Sequence, residues 1–84
     1  MTPREHLMRQ AMADLLELPV SAISLTLDFT EQGIDSLLAL RLARKLNDLC
    51  GREIDIEWLF DYPSISQLAA RIDREFGSLT ALPD

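Results

Sequence analysis

The sequence predicts an all-α fold: a small four-helix bundle, three helices long and one short, with a long structured loop between the first and second. Three observations lead there. Apolar residues recur at three- and four-residue spacing in separate segments, capping residues bracket those segments, and the one stretch with strand-like alternation has no second strand to pair with. With 84 residues, 48% of them hydrophobic and only three Gly and four Pro, the chain can bury one modest core. A single domain is expected over residues 1–84, with its core in about 3–77.

The first helix is expected to begin at Thr2, with Pro3 in the first helical position, where its missing N–H costs nothing, and Glu5 completing a capping box. Leu7, Met8, Ala11, Leu15 and Leu18 make its apolar stripe, and Pro19 ends it. In the stretch that follows, Ile23, Leu25, Leu27 and Phe29 alternate with Ser24, Thr26 and Asp28. A lone strand would leave its ladder groups unpaired, so an extended loop is expected, with its apolar side chains lying across the helices. The second helix spans about Ser36 to Cys50, with Gly51 as its C-cap. Leu38, Ala39, Leu42, Ala43, Leu46, Leu49 and Cys50 share its inner half at about 100° per residue. A short third helix is expected near Asp55 to Phe60, anchored through Trp58, Leu59 and Phe60, with Tyr62 against the loop. The fourth opens at Ser64, with Gln67 completing a second capping box; its stripe is Ile65, Leu68, Ala69, Ile72 and Phe76, and Gly77 closes it.

Eight basic against fourteen acidic side chains leave a formal net charge of −6, so the basic footprint that nucleic-acid binding needs is missing. An acidic surface suits basic patches on partner proteins, and serves solubility equally well. The single Cys50 has no partner for a disulfide or a Cys-based metal site, which suits a reducing compartment. No apolar run is long enough to span a membrane, and the N-terminus lacks a signal-peptide apolar region. A cytoplasmic protein is expected, and a monomer. Arg52, Glu53, Arg71, Asp73, Arg74 and Glu75 read as solvated surface with room for helix ion pairs.

The most informative stretch is Gly33-Ile34-Asp35-Ser36-Leu37. Gly33 allows a tight approach turn, and Asp35 or Ser36 can cap the free N–H groups of the helix that follows. A hydroxyl is thereby placed at a helix N-terminus, whose partial positive charge and unpaired donors favour a phosphate. Taken alone, serine in this position is an ordinary cap. Nothing nearby equips it for catalysis: the only histidine, His6, lies among Arg4, Glu5 and Arg9 and is expected to face solvent, so a triad lacks its base. No His/Cys/Asp cluster has metal-ligand spacing, and no glycine-rich loop could cradle a nucleotide. The chain therefore reads as non-enzymatic, with a serine that another enzyme would have to modify.

The order of helix, long loop, Gly33-Ile34-Asp35-Ser36-Leu37, second helix, short third helix and Phe60-Asp61-Tyr62-Pro63-Ser64-Ile65 resembles the acyl carrier protein family over nearly the whole chain. In that family the motif's serine carries 4′-phosphopantetheine. The resemblance implies that a phosphopantetheinyl transferase attaches this group to Ser36, using coenzyme A and magnesium. Asp35, matching the family's acidic residue, would cap the helix and help present the serine. The arm's thiol would hold an acyl group as a thioester, and tethering would make encounters with catalytic partners effectively intramolecular.

Within the family, Phe60-Asp61-Tyr62-Pro63 is similar to carrier domains of modular polyketide synthases, and Ile34-Asp35 stands where peptide synthetase carriers usually read Gly-His. A polyketide-type acyl carrier is the reading this implies, served by acyltransferase, ketosynthase and other synthase domains. The alternative within the class is a peptidyl or aryl carrier of a nonribosomal peptide synthetase. Outside it stand an unmodified helical interaction module and a small hydrolase. The family uses its second helix for recognition, which implies docking through the outward residues Leu37, Leu40, Arg41 and Arg44. Fatty-acid carriers show an acidic second helix, whereas here Arg41, Arg44 and Lys45 oppose Asp48, so partners with acidic or mixed surfaces are expected. The tail from Ser78 to Asp84 fits a free-standing protein or a domain cut from a longer one equally well.

Overall fold

Capping chemistry sets where each helix of the chain begins. The computed structural model describes residues 1–77 and contains α1 (Pro3–Leu16), α2 (Ser36–Cys50), α3 (Glu57–Asp61) and α4 (Ile65–Phe76). At the head of α1, Thr2 Oγ1 accepts the Glu5 N–H at 3.1 Å and the Glu5 carboxylate accepts the Thr2 N–H at 2.8 Å. The Thr2 N–H, above all, holds the Glu5 carboxyl below its ordinary range, and the Ser66 hydroxyl, donating to it at 2.9 Å, acts in the same direction and ties α1 to α4. Ser64 heads α4: its Oγ accepts the Gln67 N–H at 3.3 Å and its hydroxyl donates to Gln67 Oε1 at 3.1 Å. The second capping box therefore closes through the hydroxyl. Gly51 ends α2 in the left-handed region (φ +66°), where a side chain would be strained.

The innermost layer consists of Met12, Leu42, Leu46, Ile65, Leu68 and Ile72, each less than 2% exposed, with Met8, Ala11, Ile23, Phe29, Ile54 and Leu59 buried around them. Leu46 and Leu68, expected at the core, sit within it. The alternating stretch is a loop with single 3₁₀ turns at Val20–Ala22 and Thr30–Gln32, and the described residues contain no strand. Its backbone groups find partners elsewhere. Gln32 accepts the Ser24 N–H and donates to the Ser24 and Leu27 carbonyls, while Ser24 Oγ accepts from the N–H groups of Thr26 and Leu27. Ile23 and Phe29 are buried as expected; Leu27 is 47% exposed.

Several expected faces are corrected. Helix α1 stops at Leu16, with Glu17 in the left-handed conformation (φ 56°, ψ 44°), so Leu18 lies outside it and is exposed. Pro19 holds the residue before it extended, which obliges the helix to close early. The buried row of α1 is Arg4, Met8 and Met12 with Ala11 and Ala13, while Leu7 and Leu15 are half-buried. Leu49 is exposed beside an open groove against α1 that also takes in His6, which is half-buried rather than solvent-facing. In five-residue α3, Leu59 is buried and Trp58 half-buried, but Phe60 is 61% exposed and anchors nothing.

Asp73 is not solvated surface either. The Arg4 guanidinium, 5% exposed, donates Nε–H to the Asp73 carboxylate, Nη1–H to Cys50 Sγ at 3.2 Å and Nη2–H to the Gly77 carbonyl at 3.0 Å. Cys50 is therefore half-buried and hydrogen-bonded; burial pushes its thiol pKa up, against the pull of Arg4. Arg71 lies 4.7 Å over the Trp58 ring and pairs with Glu75 at 3.1 Å, and Arg52 lies 5.0 Å over Phe76. The helix pair expected on α4 is thus present. These cations stack the α3 side of the molecule onto α4.

Candidate functional site

The site forms where the loop hands over to α2. Gly33 turns the chain with φ +101°, donating its N–H to the Thr30 carbonyl, a conformation that L side chains rarely adopt. Ile34 then drops into the core, 3% exposed, with its N–H on the Phe29 carbonyl at 3.0 Å. Phe29 is itself pinned to the α3–α4 turn by its N–H on the Pro63 carbonyl at 2.7 Å, and the Ser66 N–H reaches the Leu25 carbonyl at 2.9 Å. The loop is thereby fastened to α4 on one side and delivers residue 35 to the helix start on the other.

Of the two residues able to cap, Asp35 does so: Oδ1 accepts the Leu38 N–H at 2.8 Å and its carbonyl accepts the Ala39 N–H at 2.8 Å. Ser36, the first residue of α2, is left exposed, and its hydroxyl hydrogen-bonds to no described residue. The N–H groups of Ser36 and Leu37 likewise have no acceptor among the described residues. A phosphate on Ser36 Oγ would meet those two donors and the positive end of a 15-residue helix. No described side chain hydrogen-bonds to the serine hydroxyl, which is exposed and unactivated by any described residue. Those properties suit a residue acted on by another enzyme, and they fit a phosphate-linked prosthetic group.

Leu37 and Leu40 are 59% and 41% exposed, and Arg41 and Arg44 are exposed with no ion pair among the described residues. All four face outward on the helix that Ser36 begins. Sequence reasoning missed a recess of about 340 Å³ that Ser36 edges, walled in part by Phe60. The available signal was the brevity of α3: three consecutive large residues, Trp58, Leu59 and Phe60, cannot all face the core from one turn and a half.

A short helical bundle with an accessible serine at the tip of its second helix suits a carrier of a covalently held group. A family profile described as "Phosphopantetheine attachment site" matches residues 6–72, and the chain belongs to that family, whose members carry covalent 4′-phosphopantetheine. A solved structure titled a free-standing peptidyl carrier protein from Acinetobacter baumannii shares 30% identity at a TM-score of 0.79, over 86% of this chain and 90% of that one. Nonribosomal peptide synthetase 8 of Aspergillus fumigatus is 39% identical over 71 residues, 84% of this chain and 1% of that protein. A dimodular nonribosomal peptide synthase of Bacillus subtilis is 35% identical over 81 residues, 96% of this chain and 3% of that protein. The chain thus spans only a few hundredths of the length of these synthetases. No helix among the described residues is long and apolar enough to cross a membrane.

Proposed function

We propose that this chain is a peptidyl carrier: Ser36 bears the phosphopantetheine arm, and the arm's thiol carries an aminoacyl or peptidyl group within nonribosomal peptide synthesis. The observation that carries this reading is the likeness to peptide synthetases over 84% and 96% of the chain, joined by the likeness to a peptidyl carrier. It favours the alternative weighed at the sequence level over the polyketide type. The motif words that pointed to polyketides have local structural duties here. Ile34 fills the core and Asp35 caps α2, so both are demanded by the fold whatever the cargo.

A carboxylic acid does not acylate a thiol unaided, so an amino-acid-activating enzyme must supply the acyl group, after a phosphopantetheinyl transferase has installed the arm. Cys50, half-buried, is held in the Arg4 cross-link at the opposite end of α2 from Ser36. Asp35 positions Ser36 for the transferase by fixing the helix start. Leu37, Leu40, Arg41 and Arg44 form the docking face, an apolar pair beside two cations with no ion pair among the described residues, suited to partners with an apolar contact ringed by acidic groups.

The discriminating experiment gives the arm-bearing protein either an amino-acid-activating enzyme with ATP or a malonyl-transferring enzyme with malonyl-coenzyme A, and reads intact mass. Aminoacyl loading that outpaces malonyl loading supports the peptidyl reading; the reverse restores the polyketide one. Reversing Arg41 and Arg44 to Glu should slow transfer, most strongly at low salt. Unchanged rates across salt would remove the charged part of the docking face.

A further inference from the structure

We propose that the open groove between α1 and α2 is a docking site for an amphipathic helix of a partner protein, one with leucine-type side chains on its inner face and lysine or arginine beside them. The groove has a volume of about 480 Å³, within the range of pockets that hold ligands or inserted side chains. Ala11, buried, and Leu7, half-buried, line it together with Leu49, which is 45% exposed. The two helices run antiparallel here, since Arg4 meets Cys50 and Asp14 meets Lys45. Two packed helices leave a furrow that takes the ridge of a third, and no sheet edge exists among the described residues for an extended peptide to join.

Charge selects the occupant. Asp14 and Asp48 line the groove against one ammonium, Lys45, which reaches Asp14 only at 3.9 Å. Asp48 has no ion pair among the described residues, and His6 is the remaining ionisable group of the lining. Asp14, its side chain 69% exposed, lies in the last turn of α1 and Asp48 in the last turn of α2, and neither turn holds a basic residue. A carboxylate there faces the negative end of its own helix, a placement that folding alone disfavours. The last turn of α4, which does not line the groove, carries Arg74 instead. Cations on an incoming helix would answer both carboxylates and both helix ends. Leu49 stands about 20 Å along α2 from Ser36, so a partner seated in the groove leaves the serine and the Leu37–Leu40 face open. Held there, a carrier stays beside the enzymes it serves between visits, at raised effective concentration. That use rests on the carrier reading; the binding itself does not.

The test titrates the ¹⁵N-labelled full chain with a synthetic helical peptide bearing leucines at i, i+3, i+4 and i+7 and lysines on the flanks. Saturable amide shifts are expected at Leu7, Gln10, Lys45 and Leu49, with Leu37 and Leu40 unmoved. Exchanging the peptide's lysines for glutamates should weaken binding roughly tenfold at low salt, and Leu49→Gln should weaken it about fivefold. Asp48→Asn should narrow the difference between the two peptides, and Leu27→Gln, a comparably exposed leucine on the loop, should change nothing. All three positions are exposed, so the variants keep the fold. No saturable binding, shifts centred on Leu37 and Leu40, or equal binding of the two peptides overturns the docking site. Saturating peptide should leave the rate at which a transferase and coenzyme A modify Ser36 unchanged, and marked slowing overturns a site separate from the serine. A chain that is never modified, with or without peptide, overturns the carrier reading and leaves the groove assignment standing.

Discussion

At its last residue, Cys50, helix α2 meets the Arg4 guanidinium, which is 5% exposed and also binds the Asp73 carboxylate and the Gly77 carbonyl. At its first, Ser36, roughly 21 Å away along the axis, the side-chain hydroxyl bonds to no described residue and the helix is capped from within its own approach by Asp35 alone. One end joins the start of α1, the end of α2 and the end of α4 through a single planar fork whose three nitrogens all donate. The other end offers an oxygen and two N–H groups to whatever approaches. On the proposed assignment a second enzyme must reach Ser36, and the cross-links that order α2 lie at the other end of the helix. What holds the exposed end in position is the loop, fastened to the α3–α4 turn through Phe29 and to α4 through Leu25.

The largest effect should come from cutting the closed end. Arg4→Ala leaves the Asp73 carboxylate, 18% exposed at its side chain, and the Gly77 carbonyl without their donor, and should cost about 3–5 kcal/mol in chemical denaturation. A loss of about 1 kcal/mol or less, the range of exposed pairs, would mean that the two ends do not differ as described. Asp35→Ala, at the open end, should cost about 0.5–2 kcal/mol, the worth of one helix cap, and should slow modification of Ser36 beyond what the lost stability explains. Full-rate modification would confine Asp35 to capping.

The smallest effect concerns acid. The Thr2 N–H holds the Glu5 carboxyl below its ordinary 4.5, so Glu5 contributes stability that is complete above that pH and disappears as pH falls through the lower folded value. Replacing Glu5 by Gln should therefore flatten that part of the acid limb of a stability–pH curve. An unchanged limb would show that the Glu5 charge contributes nothing to folding.

Most of the open end was legible in the sequence, because it is written in local rules: Gly33 for a left-handed turn, Asp35 for a cap, and leucines at helical spacing behind Ser36. The choice between Asp35 and Ser36 as cap needed the backbone, since both residue types accept the same hydrogen bond. The closed end was illegible. An arginine at the head of α1's buried row reads as surface, and only the folded chain shows that Asp73 and Gly77, far away in sequence, complete its bonds. Phe60 was misread for the opposite reason, an aromatic residue assigned to the core by type, when α3 is too short to turn it inward. The kind of cargo was not written in the motif, because Ile34 and Asp35 answer to packing and capping.

The most direct measurement is intact mass after incubation with a phosphopantetheinyl transferase and coenzyme A, run on the wild-type chain and on Ser36→Ala. The wild type should gain one phosphopantetheine, and the variant none, with an unchanged denaturation midpoint because the lost hydroxyl bonds to no described residue. A wild-type chain that stays unmodified while folded, or a variant that gains the same mass, would contradict the assignment of the open end of α2 as the attachment site.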